Sequence, residues 1–165
     1  MGTSITVTEF LGGGDGGGRA AALAAAVSGA VVGVLAVGDG EFSGVRFRVP
    51  EGYVARELRG VKMRTVAGVF DEFAAAFQFA YYFGENKDAF DECLRDLDDF
   101  VGRAPGYVAV IRDGAQLLAD EPEELDWFDA AVTDAARHWA ARGVAFRVVL
   151  QDRPAGVQAA TLTLV

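Results

Sequence analysis

The strongest periodicity in the chain lies between Tyr53 and Leu150. Val66, Val69, Phe70, Phe73 and Phe77 recur three and four residues apart, the spacing of one stripe on a helix. Thr65 precedes them, and its hydroxyl can accept from a free first-turn amide, so the spacing predicts a helix over 66–78. A second stripe, Phe90, Cys93, Leu94, Leu97, Phe100 and Val101, predicts one helix over 86–101. A third, Phe128, Ala131, Val132, Ala135 and Trp139, predicts a helix over 125–142, closed by Gly143 in a left-handed cap. Apolar runs of strand length occupy 53–58, 107–111 and 144–150, each bounded by turn residues. One helical turn fits 116–119, and the acidic link 120–124 holds Pro122. Apolar strands separated by helices imply α/β architecture: a small three-stranded parallel sheet packed with about four helices.

The flanking segments are patterned differently. Residues 1–52 read as an N-terminal extension, 53–151 as the α/β domain, and 152–165 as a tail or edge strand. Gly12 to Gly18 is glycine broken only by Asp15, and Arg19-Ala20 follows where a phosphate loop needs Lys-Ser or Lys-Thr. An Ala-rich run predicts a short helix over 19–28, and a valine-rich one a strand over 31–37. The alternation over 42–49 predicts another strand, between turns at Asp39-Gly40 and Pro50-Glu51-Gly52. The apolar stretch 20–38 is long enough to raise a membrane span. It is mostly alanine and glycine, with acidic Glu9 and Asp15 ahead of it, so neither a span nor a secretory leader is expected.

Charge narrows the possible roles. The net charge is -9 over 165 residues, with a pI near 4.5. Phosphates repel such a chain, which argues against direct nucleic-acid binding, whereas basic proteins are attracted. Cys93 is the only cysteine and His138 the only histidine, so no internal disulfide forms and no zinc-ligand spacing exists. A lone thiol fits a reducing cytoplasm. Cys93 falls on a buried stripe and reads as a small hydrophobe, and His138 reads as a boundary residue. Asp88 and Glu92 stand four apart, as an acid–base pair could, but one helix face offers no pocket around them. No enzyme activity, metal or cofactor is expected.

The informative segment is the start of the second helix. At ~100° per residue, Asp88, Glu92 and Asp99 fall within roughly 40° of one another, opposite the apolar stripe. Seven carboxylates stand between Glu85 and Asp99 against two cations, Lys87 and Arg95. The early acids also complement the helix N-terminus, and a solvated acidic face is the plain reading of such a run. The run Tyr82-Phe83-Gly84-Glu85-Asn86, then Asp88-Ala89 and Cys93-Leu94, resembles the signature of the barstar family, inhibitors of barnase-like ribonucleases. The resemblance spans about 53–151, and the family's three parallel strands packed with helices agree with the element order above. It implies an interface aromatic at Tyr82, contacts at Asn86 and Asp88 at the helix start, and the dominant charged contact at Glu92, there normally an aspartate. Asp91 stands where an interface tryptophan can occur, and His138 near a further acidic contact. The expected contact set is Tyr82, Glu85, Asn86, Asp88, Asp91, Glu92 and Asp99. The implied role is a cytoplasmic inhibitor or immunity protein, monomeric alone, whose acidic helix blocks a basic ribonuclease. The alternative is a binding module of the same fold with a basic partner that is not a nuclease.

Overall fold

A computed structural model describes residues 4–12 and 31–165. Two strands buried on both sides, β4 (Gly106–Arg112) and β5 (Ala145–Leu150), run through the sheet. β3 (Val54–Arg59) pairs with β4, and β4 with β5, all parallel, with Val54 opposite Tyr107 and Gly106 opposite Ala145. These are the three strands the sequence predicts, but they are half of the sheet. β1 (Ser4–Thr6), β2 (Val32–Val34) and β6 (Ala160–Thr163) extend it, giving six parallel strands in the order β1-β6-β2-β5-β4-β3. β5 would otherwise present a row of unpaired backbone groups on its free edge, and β2 takes them, with Val32 opposite Val148 and Val34 opposite Leu150. The strand within 152–165, expected at an edge, is interior, because β6 pairs with both β1 and β2.

Alternation along the strands gives the sheet two buried faces. Tyr107, Ala109, Ile111, Phe146, Val148 and Leu150 face one core. It is covered by α3 (Val66–Phe77), α4 (Lys87–Leu94), α5 (Leu97–Val101) and α6 (Leu125–Ala140). Val108, Val110 and Val149 face a second core, closed by Phe10 of α1 (Val7–Leu11), Phe42 of α2 (Asp39–Phe42), Val45 and Leu35. The flanking segments therefore supply both strands and a covering layer. Arg147 lies fully buried on this second face. Its guanidinium donates to the Phe146 carbonyl at 2.9 Å and lies 5.7 Å from the Phe10 ring, and desolvation pulls its pKa down to about 10.

Two further expectations change. The strand predicted over 42–49 is a helical turn, α2, followed by a 3₁₀ turn at Val45–Phe47. Phe42 and Val45 are buried and Phe47 is 77% exposed, a spacing of three rather than two. The chain must cross the face of β5 and β4 to reach β3, and two inward side chains one turn apart seal that face. The single helix predicted over 86–101 is divided. Arg95 and Asp96 bond back three residues, to Glu92 and Cys93, which tightens the turn and ends α4. Asp96 then takes the N-cap position of α5, with Asp98 and Asp99 in its first turn, where carboxylates suit the helix dipole. Asp99 therefore sits on a different helix from Asp88 and Glu92. The strand expected over 31–37 is shorter, and the helix expected over 19–28 lies outside the described residues, as does most of the glycine run. Among the described residues no helix is long and apolar enough to cross a membrane.

Candidate protein-binding site

The site stands on an aromatic foundation. Phe90 of α4 meets Phe70 and Phe73 of α3 at 5.6 and 5.3 Å and Trp127 of α6 at 5.4 Å. In the loop before α4, Phe79 and Phe83 turn inward and meet at 5.2 Å, while Phe83 packs edge-on against Phe70. Trp139 donates its indole N–H to the Leu94 carbonyl at 2.8 Å, which fixes the end of α4 against α6. α4 is therefore a rigid element on α3 and α6, and its other side faces water.

The chain enters α4 through a tight local arrangement. Glu85 adopts a positive φ of 50°, and Asn86 caps the helix by accepting from the Ala89 amide at 2.8 Å. Replacing Asn86 with alanine is expected to cost about 1 kcal/mol of stability through loss of that cap, read by chemical denaturation. A change within error would show that the cap does not hold the helix start.

Asp88 and Glu92 are exposed on α4, opposite buried Phe90, Cys93 and Leu94. Among the described residues neither carboxylate has an ion pair. The two cations that could neutralise them point elsewhere. Lys87 pairs with Glu124 at 2.6 Å and lies over the Trp127 ring, and Arg95 sits close enough to Asp91 and His138 to influence both. The acidic ridge thus keeps its charge facing solvent. Tyr82 is 63% exposed beside it. Its phenol is held above the ordinary range, first by desolvation and then by Asp96, Cys93 and Asp99. Asp99, from α5, lies near the Tyr82 phenol, while Asp88 and Glu92 are exposed on α4 and Glu85 and Asn86 are exposed at its start.

Asp91 is placed differently. It is half-buried, its Oδ1 is buried with no hydrogen-bond partner among the described residues, and Asp134 of α6 lies near it. Desolvation raises its pKa, Arg95 opposes the rise, and Asp134 and Asp88 add to it. The ionised form is thus disfavoured by folding. That cost is present above the raised value and disappears as pH falls through it towards the unfolded value of about 3.9. Asp91→Asn is expected to stabilise the chain near neutral pH, with the gain shrinking as the medium is acidified. Denaturation curves across that range check it, and a gain that grows on acidification contradicts it. His138 stands in the last turn of α6 near Arg95 at the end of α4, its Nε2 buried without a partner among the described residues. Its pKa is lowered by desolvation, then by Arg142 and Arg95, so it supplies no negative charge to the ridge. Burial, Asp96 and Glu92 push the Cys93 thiol up to about 11, which leaves it a neutral packing group.

Two residues of this surface, Tyr81 and Asp96, carry little signal in the sequence. Tyr81 is visible only as the outward position between inward Phe79 and Phe83, and Asp96 only as the acid beside Leu97. A cavity of about 560 Å³ opens beyond the C-terminal ends of the strands, lined in part by Val61, Asp113, Gln116 and Gln151. Gln151 spans its floor, donating to the Val37 carbonyl and Asp39 and accepting from the Asp113 amide. Among the described residues no cluster of three or more His, Cys, Asp or Glu side chains could hold a metal ion.

Compared with known families, residues 53–151, more than half of the chain, match the family model described as Barstar (barnase inhibitor). None of the curated proteins compared with the chain matches it.

Proposed function

Given that the chain belongs to the barstar family, we propose that it is an inhibitor of immunity type, whose helix α4 occupies the basic active site of a barnase-type ribonuclease. The observation that carries this reading is the exposed, unneutralised pair Asp88 and Glu92 on a helix locked by Phe90 and Leu94. A ribonuclease cleft is shaped and charged for phosphates. Two carboxylates one helical turn apart, held rigidly, match such a cleft at little entropic cost. Their field speeds encounter, and desolvated pairing slows escape. Glu85 and Asn86 border the contact at the helix start, Tyr82 supplies an apolar anchor, and Asp99 adds charge from α5. Asp91, turned towards α6, contributes its remaining exposed edge. The chain performs no chemistry of its own in this role, needs no cofactor, and acts as a monomer in the cytoplasm, where Cys93 stays reduced. A basic partner that is not a nuclease is favoured by one observation: Asp91 faces inward at the position where family members can present a tryptophan.

Amide hydrogen exchange of the full chain, with and without a barnase-type ribonuclease, tests the placement. Protection is expected over 80–99, with none added on α1 or α2. Protection confined to the opposite face, or none at saturating ribonuclease, would overturn it.

A further inference from the structure

The loop before α4 presents two tyrosines in a way that packing does not require. Tyr81 is 101% exposed, as bare as in an extended chain, and Tyr82 is 63% exposed. Leaving two large rings in water forgoes burial, and rings carried outward by a fixed backbone mark a contact surface. The backbone that carries them is held. Phe79 meets Phe83 at 5.2 Å and Phe100 at 5.8 Å, and the Phe83 amide closes the turn by donating to the Ala80 carbonyl at 2.9 Å. The two tyrosine rings lie edge to face with centroids 5.7 Å apart, and the Tyr81 ring stays open to solvent.

The charge beside the pair selects what it can take. Phe79 packs on Phe100 of α5, which sets the loop against the segment that carries Asp96 and Asp99, and both carboxylates are exposed. Lys87 is engaged with Glu124, so it does not cover them. A guanidinium is flat, stacks on an aromatic face, and directs a fork of N–H donors at a neighbouring carboxylate. An ammonium offers only a compact point charge. We propose that Tyr81 and Tyr82, with the carboxylates of Asp96 and Asp99 beside them, form an arginine-docking subsite for the basic partner, so that recognition extends from α4 onto the loop before it. The subsite rests on the protein-binding reading above, and it adds a preference for arginine over lysine that a purely electrostatic ridge lacks.

Hexa-arginine and hexalysine peptides, titrated against the full chain and followed by backbone amide shifts, provide equal charge with different head groups. Hexa-arginine is expected to bind roughly two- to fivefold more tightly, the range of an exposed cation–π contact. Tyr81→Ala brings the ratio close to unity, and Tyr81→Phe, which keeps the ring, retains it. Asp88→Ala with Glu92→Ala weakens both peptides alike and leaves the ratio intact. Tyr81 is fully exposed, so its alanine variant folds as the parent does, and a thermal melt verifies this. Equal affinity for the two peptides, or a ratio unmoved by Tyr81→Ala, overturns the subsite. If that happens while ribonuclease inhibition persists, the proposed function stands without it. A Tyr81-dependent arginine preference in a chain that inhibits no ribonuclease instead removes the proposed function and leaves the subsite.

Discussion

Replacing Asp88 and Glu92 together with alanine is expected to weaken the complex with a barnase-type ribonuclease by at least about 30-fold, roughly 2 kcal/mol, a hot-spot range for which the barnase–barstar pair is itself a reference case. The free chain should barely notice. Both side chains are exposed and neither is in an ion pair among the described residues, so their loss changes stability by no more than about 0.5 kcal/mol. The melting temperature then moves by about 2 °C or less. The effect on binding arises because the partner's cations, desolvated against α4, lose their counter-charges. The two positions lie on one face and share the partner's field, so the single changes will not add. The salt dependence of association should flatten in the double variant, because the charges that steer encounter are gone. An unchanged affinity would remove α4 from the interface.

The second large effect lies far from that surface. Phe42→Ala is expected to lower stability by about 3–5 kcal/mol, the usual cost of emptying a fully buried phenylalanine site. For a domain of this size that is roughly 6–20 °C in melting temperature. Phe42 is 0% exposed and packs with Phe10, Val108, Val110 and Val149 on the second face of the sheet. The segment before Tyr53 thus acts as a structural layer. Affinity for the ribonuclease, measured below the lowered melting temperature, should be unchanged, since Phe42 and α4 lie on opposite faces. An unaltered melting temperature would mean that the segment before Tyr53 is dispensable to the fold.

These two cases also show which features a sequence makes legible. α3 and α6 each bury one stripe against the sheet, so Val66 to Phe77 and Phe128 to Trp139 announce their own faces. The Asp88 and Glu92 ridge is legible for the same reason, as the side opposite Phe90 and Leu94. The second half of the sheet is legible only in part. The runs that hold β2 and β6 read as strands, but β1 is three residues long and carries no pattern, and long-range backbone pairing decides where all three go. The break at Asp96 is hidden because a tightened turn keeps Leu94 and Leu97 both buried, so the stripe passes through it in phase. Asp91 is expected among the contacts because it flanks the acidic ridge and stands where family members can present a tryptophan, yet it is half-buried. Which flank a neighbouring helix covers depends on where α6 docks, and nothing local to 86–101 encodes that. Residues 42–49 alternate like a strand, yet the crossing from β2 to β3 imposes a helical turn.

The most direct measurement is the residual activity of a barnase-type ribonuclease on RNA, titrated with the full chain at low salt. Blockade of the site by α4 predicts a linear fall to zero activity at one chain per ribonuclease, with weaker inhibition as salt is raised. Full activity in the presence of a large excess of the chain, at low salt, would contradict it.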